Sequence, residues 1–477
     1  MNRTDIAALS PIIVLAATAI AAMLIIAFYR NHKMTAVITI AGLGAAFAAL
    51  FMAAPLIPHS VTSLVIVDGY GLFFMGLILL SSFVVASLSY GYLKWRDGNL
   101  EEFYLLLLLA TLGSGILVFG GNFVTFFLGL EILSVSLYAL IGYFRAGERG
   151  NEAGIKYLIL AAVSASFLLF GMALVYARLG TMDFARIAAK AAALGNDPML
   201  LVGLVLIVVG IGFKLAVVPF HMWTPDVYEG APAPVAAFIA TVSKGAMFVL
   251  LLRFFTFVEI RNYPVLVLLL SIISAASMCV GNLLALYQQN VKRTLAYSSV
   301  AHQGYVLVAF LAGPDVSAMA VSYYLLAYFV AMLGAFGVIA VLSAKERDAD
   351  LIEDYHGLAW RRPWLAGVFT VMLLSLAGIP LTAGFIGKYY VMAAGANSAL
   401  WVLVMVLALN SAAGLYYYLR IVAVQFALGG EKICPSPPRM EVSAGMIIAV
   451  LTFILFWLGI YPAPMIRIIE VAMSGPI

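Results

Sequence analysis

The feature that most constrains this chain is a succession of apolar runs, many of them about 20 residues long, separated by short polar stretches. About 20 apolar residues is what a helix needs to cross roughly 30 Å of hydrocarbon, whereas a transmembrane barrel would show alternating segments of about ten residues. Composition agrees: 65% of the 477 residues are hydrophobic and 10% charged, against about one half and one quarter in a soluble globule. The chain therefore reads as an all-α membrane protein. Marking each run and its polar interruptions predicts fourteen membrane helices, beginning near Ser10, Met34, Gly69, Glu102, Asn122, Gly154, Leu200, Ala231, Pro264, Thr294, Val316, Pro363, Ala399 and Glu441. Spans of about 22 residues would use roughly 310 residues, so no sizeable soluble domain is expected. The longest polar stretches, residues 178–198, 343–362 and 429–439, are too small to bury a core. Residues 10–29 have full spanning length and are expected to remain in place as the first span.

Lysine and arginine placement sets an expected orientation. Loops after odd-numbered helices hold fourteen of them, and loops after even-numbered helices hold five: Arg178, Arg186, Lys190, Arg253 and Arg261. Basic loops stay in the cytoplasm, so both termini are expected on the opposite side. The net charge of +4 is modest and points to no nucleic acid. Cys279 and Cys434 match no disulfide framework, zinc spacing or redox motif. Only His221 and His302 of the five histidines fall within or at the ends of spans, too few to ligate several buried haems. The Gly113–Gly115 pair lies inside an apolar helix and follows no strand, which excludes a dinucleotide loop. No cofactor is expected in this chain.

The informative residues are charges inside the spans. Lys156, Lys214, Lys244, Lys388 and Arg420 are basic, and Glu131 is the acid deep in a span, about nine residues into its helix. A charge in mid-membrane costs several kcal/mol even on lenient scales and usually faces an opposite charge or a water-filled cavity. Arg420, at a helix end, fits a side chain reaching for the interface. Lys156, four residues after Glu152, fits an i,i+4 surface pair as well as a functional role. Lys214, Lys244 and Glu131 lie too deep for either explanation. A buried lysine beside a carboxylate is a proton switch, because burial disfavours the ammonium and the carboxylate favours it. Pro219 follows Lys214 by five residues and Pro380 precedes Lys388 by eight, so two helices are expected to break beside embedded lysines. His302 shares a polar stripe with Ser298, Ser299 and Gln303, which fits either a water chain or a hydrogen-bonded packing histidine.

Three runs, GFKLAVVPFHMWTPDVYEGAPAPVAAFIATVSKGA, NVKRTLAYSSVAHQGY and GIPLTAGFIGKYY, closely resemble the subunit N family of proton-pumping NADH:quinone oxidoreductase, respiratory complex I. The resemblance covers nearly the whole chain. The related subunits L and M, and the large subunits of sodium/proton antiporters, look like WLPDA with EGPTPVSA, where this sequence has WTPDVYEGAPAPV. Subunit L would also continue past residue 477 into a lateral helix. The resemblance implies an antiporter-like fold with two inverted five-helix repeats, each containing one proline-broken helix. It divides the chain into residues 1–100, three N-terminal helices; 101–260, the first repeat; 261–428, the second repeat; and 429–477, a last helix. It makes Glu131, Lys214, Lys244 and Lys388 the proton-transferring residues, Lys156, His221, His302, Lys292 and Asp226 the supporting ones, and Pro219 and Pro380 the helix breaks. It implies membrane-arm partner subunits, lipids and protons as partners. FMN, iron-sulfur clusters and quinone would reside in partner subunits, in a bacterial inner membrane with periplasmic termini. The alternatives are a subunit of a sodium/proton antiporter, a module of a ferredoxin- or hydrogenase-linked pump, and a static membrane scaffold.

Overall fold

The structure is a computed structural model that describes residues 2–144, 147–428 and 440–473. Arg145, Lys432, Cys434 and Arg439 lie outside the described residues. Among the described residues twelve helices are long and apolar enough to cross a membrane, so the chain is a multi-pass membrane protein. Two further expected spans are helices of another kind. Val291–Leu311 is diluted by Ser298, Ser299, His302 and Gln303. Pro363–Ala377 has only 15 residues, because the chain turns at Gly378 and resumes as Ala383–Asn397. One small hairpin, His59–Val61 against Val65–Val67, was not expected from the sequence.

Many helix starts follow from local chemistry. Asp68, Asn122, Asp183, Asp197 and Asn290 each precede a helix and accept a backbone N–H from its first turn. Such caps satisfy donors that a helix leaves without internal partners. Inside the bundle, small residues let helices touch. A Cβ on Gly113 would sit 2.8 Å from the Gly129 carbonyl and 2.5 Å from the Leu133 nitrogen, so Glu101–Val118 and Phe123–Ile141 meet backbone to backbone. That packing explains the glycine at 113.

Burial is uneven across the bundle. Ala233–Phe257 is enclosed on all sides and Ser317–Leu342 nearly so, whereas Ser10–Phe28, Trp401–Phe426 and Val442–Ile460 bury only 28% of their apolar stretches. The loops after odd-numbered spans gather at one end, tied by Lys94 to Glu441, Arg96 to Asp348, and Arg293 to Asp226 and Glu229. At the other end the hairpin bonds the link after Glu101–Val118, from Ile66 to Phe119 and from Gly121 to Leu64, and that link bonds the start of Phe184–Leu194 from Phe184 to Gly121.

One placement corrects the charge map. Arg253 is not a loop residue. It lies in Lys244–Phe257 with no solvent exposure and makes a two-pronged ion pair, at 2.7 and 2.8 Å, with Asp68. Apolar length alone could not reveal this, because a paired arginine near a helix end reads like the boundary of a span.

Candidate functional site

The two expected breaks are built alike. Pro198–Leu215 ends at Ala216 (φ 60°) and helix resumes at Trp223–Gly230. Pro363–Ala377 ends at Gly378 (φ 87°), two residues before Pro380. Pro219 and Pro380 therefore lie in the turns between half-helices, where backbone carbonyls lose their helical partners. Side chains take over those carbonyls. The Trp223 indole donates to the Phe213 carbonyl at 3.0 Å, and the Lys388 ammonium donates to the Ala377 carbonyl at 2.7 Å.

Each deep lysine has a hydroxyl partner and an aromatic face. Lys214 donates to Ser134 at 2.9 Å and to the Tyr157 hydroxyl at 2.8 Å. Lys244 donates to Ser299 at 2.6 Å and lies 5.5 Å from the Tyr228 ring centre. Lys388 donates to Ser411 at 2.8 Å and lies 5.3 Å from the Tyr305 ring centre. All three are buried, with 3%, 1% and 5% exposure. Among the described residues none of these ammonium groups is in an ion pair. Glu131 is half-buried, on the helix that carries Ser134, and interacts electrostatically with Lys214 without touching it. Just before Lys244 the helix widens to a π-turn over Ile239–Ser243, a distortion common at functional positions.

Residues 120–414 match the family described as NADH:quinone oxidoreductase/Mrp antiporter, TM. The chain is 53% identical to NADH-quinone oxidoreductase subunit N of Nitrosospira multiformis, covering 99% of this chain and 97% of that protein. It belongs to the subunit N family. The subunit N of Methylococcus capsulatus is 46% identical, with 98% and 95% covered. A chain of respiratory complex I from Thermus thermophilus, solved with bound aureothin, superposes with a TM-score of 0.83 at 34% identity, covering 96% of this chain and 98% of that one.

In this member of the subunit N family polar side chains cluster around Lys244 and Lys388. Ser299, which holds Lys244, is followed on the same helix by His302, whose ring bonds to the Tyr324 hydroxyl at 2.7 Å and the Tyr418 hydroxyl at 3.3 Å. Tyr418 also bonds to Ser298. His302 interacts electrostatically with both Lys244 and Lys388. It lines, with Tyr324, Tyr328, Ser375 and Lys388, a cavity of about 10 Å³, close to what one water needs. Among the described residues several buried polar atoms have no hydrogen-bond partner: both ring nitrogens of His221, the Thr224 hydroxyl, the Gln303 amide and the Tyr328 hydroxyl. Such atoms are ordinarily satisfied by water. Among the described residues no three His, Cys, Asp or Glu side chains gather into a metal site.

Lys156, Asp226 and Lys292 sit at the odd-loop end and, among the described residues, make no bond to the three deep lysines. Lys156 is 44% exposed and pairs with both Glu152 and Asp226 at 2.7 Å. Asp226 also pairs with Arg293. Lys292 is buried and bonded to Asp348 and to two backbone carbonyls. Arg420 donates to the carbonyls of Leu286 and Gln288, a helix-end role. Sequence reasoning missed Ser134, Tyr157 and Ser411, because single hydroxyls in apolar helices carry no spacing signal, and it placed Ser299 on the His302 stripe without its lysine.

Gly378 is a tight point of the second break. Its φ of 87° is left-handed, and a Cβ there would lie 2.7 Å from Lys388 Cδ. Gly378→Ala is expected to cost about 1–2 kcal/mol from the backbone alone and to push Lys388 off the Ala377 carbonyl. Gly367→Ala, at a helical position with open space around it, is expected to be neutral or mildly stabilising. Thermal unfolding of the two purified variants checks this, and equal midpoints would contradict it.

Proposed function

We propose that this chain is a proton-translocating membrane-arm subunit of an NADH:quinone oxidoreductase, moving protons through a relay of Glu131, Lys214, Lys244 and Lys388. The observation that carries the reading is three buried lysines held by neutral hydroxyls, carbonyls and aromatic faces with no counterion in contact among the described residues. A purely structural buried charge would be expected to have a partner, since its burial otherwise costs several kcal/mol. A group that must both hold and release a proton is served better by partners that do not lock it as a cation.

In this reading Glu131 sets the first step. When its carboxylate approaches Lys214, the ammonium is stabilised, and when it withdraws, the proton is free to leave. The observed arrangement, with Lys214 on Ser134 and Tyr157 and apart from Glu131, corresponds to the withdrawn state. The proton would pass along water near His221 and Thr224 to Lys244, then by Ser299 and His302 to Lys388. Lys156, Asp226 and Lys292 would tune the field at the odd-loop end. The fold would comprise two inverted repeats, residues 101–260 and 261–428, with residues 1–100 and 429–477 flanking them.

The driving force would come from partners. FMN, iron-sulfur clusters and quinone belong in other subunits of the complex, and neighbouring membrane-arm subunits would transmit electrostatic changes to Glu131. The bacterial inner membrane is the proposed location, with the basic odd loops in the cytoplasm and both termini in the periplasm. The test is NADH-driven proton pumping in membrane vesicles carrying Lys214→Ala, with assembly checked in the same preparation. An assembled complex that loses pumping and coupled quinone reduction supports the relay. Full pumping would leave these lysines as parts of a scaffold.

A further inference from the structure

Asp348 has no place in the relay, yet it is one of the most enclosed carboxylates in the chain, with 9% side-chain exposure. It accepts hydrogen bonds from Arg96 at 2.7 Å, Lys292 at 2.8 Å and the Tyr92 hydroxyl at 2.7 Å. An ammonium has three hydrogens to give. Lys292 gives one to Asp348 and the others to the carbonyls of Glu229, at 2.9 Å, and Ala231, at 2.6 Å. Those carbonyls stand at the end of the half-helix Trp223–Gly230, where a helix has no internal donors left and a cation is favoured.

The other side of the cluster is equally fixed. Arg96 packs over the rings of Tyr92, at 4.1 Å, and Phe144, at 4.9 Å. It therefore ties Asp348 to the end of the Gly69–Leu93 helix. The half-helix held at its end by Lys292 is the element that touches two lysine sites. Its Trp223 packs at a tilt, ring centres 4.8 Å apart, against Tyr157, which accepts from Lys214, and its Tyr228 bonds to Ser299 at 3.3 Å beside Lys244. A shift of this short helix would move the partners of both lysines together.

We propose that Asp348 is a positioning residue that, through Lys292, fixes the half-helix Trp223–Gly230 and keeps the Lys214 and Lys244 sites in register. Burial by itself would raise the Asp348 carboxyl, but Lys292 and Arg96 outweigh it and hold the group down at about 2, from an ordinary 3.8. The stability it contributes is thus present above the ordinary value and lost only as pH falls through about 2. The clamp is permanent at working pH and is not a pH switch.

The consequence for pumping rests on the relay proposed above; the fixing of the half-helix does not. The test compares assembled complexes carrying wild-type Asp348, Asp348→Asn or Asp348→Glu by amide hydrogen exchange and by protons pumped per NADH oxidised. Asp348→Asn is expected to speed exchange in residues 223–231 roughly tenfold or more, since it removes a charge-assisted bond from Lys292. Asp348→Glu keeps the charge, is the safer variant for assembly, and is expected to give a smaller rise in the same peptides. Pumping per NADH should fall in the same order, while NADH oxidation with a soluble acceptor stays unchanged. Unchanged exchange at 223–231 in an assembled variant overturns the proposal whatever pumping does. Faster exchange with full pumping overturns the claim that register matters to the lysines. Faster exchange in a system whose Lys214→Ala form still pumps keeps the clamp and sinks the relay.

Discussion

Complexes carrying Lys244→Met are expected to assemble and to pump protons at less than about one-tenth of the wild-type rate, a loss of at least about 1.4 kcal/mol in the limiting step. Lys244 lies in the helix enclosed on all sides, with 1% exposure, and among the described residues it bonds to Ser299 alone. Methionine has a similar length and no charge, and replacing a buried charge by an apolar side chain of similar volume often leaves stability unharmed. Lost pumping in an assembled complex would therefore report the missing ammonium. Lys244→Arg sharpens the point, because a guanidinium keeps the charge but does not release its proton. It too is expected to pump at less than about one-tenth of the wild-type rate. Normal pumping by the arginine variant would show that a fixed positive charge suffices and would sink the relay at this position.

Asp68→Ala is expected to cost about 3–5 kcal/mol, the penalty for leaving a buried partner charge unpaired, and so to remove most of the assembled complex. Arg253 is fully enclosed, and Asp68 engages it with both carboxylate oxygens while capping Gly69–Leu93 through the Gly71 N–H at 2.7 Å. The cap adds about 1 kcal/mol of its own. A total of that size is a large share of the 5–15 kcal/mol by which folded domains ordinarily exceed their unfolded chains. The pair Asp68→Asn with Arg253→Met is expected to recover most of the assembly, because asparagine retains the cap and no charge is left buried. Quantifying the complex in membranes for the single and double variants checks this. Single variants that assemble like wild type would show the pair to be dispensable.

The sequence by itself determined the class and pointed to many residues of the candidate site. Apolar runs of spanning length with short polar gaps leave a helical membrane protein as the economical solution, since lipid requires every backbone group to be bonded within its own segment. Lys214, Lys244 and Lys388 stood out because charge is scarce in such runs, and Pro219 and Pro380 because proline cannot continue a helix. The capping residues Asp68, Asn122 and Asn290 were equally local, each chosen for a side chain that closes a helix start.

Only the tertiary structure decided which helix is central and what each charge touches. Lipid tails are as apolar as leucine, so a buried face and a lipid-facing face look alike in sequence; Ala233–Phe257 is wholly enclosed and Trp401–Phe426 only 28% buried although both are strongly apolar. For the same reason Arg253 read as a loop residue until Asp68, far away in the chain, was seen against it. Ser134, Tyr157, Ser299 and Ser411 became lysine partners, and Asp348 became the anchor of Lys292, only through contacts between distant segments. Periodicity and spacing record what a residue needs from its own helix; the partner of a buried charge comes from another helix, and packing alone brings the two together.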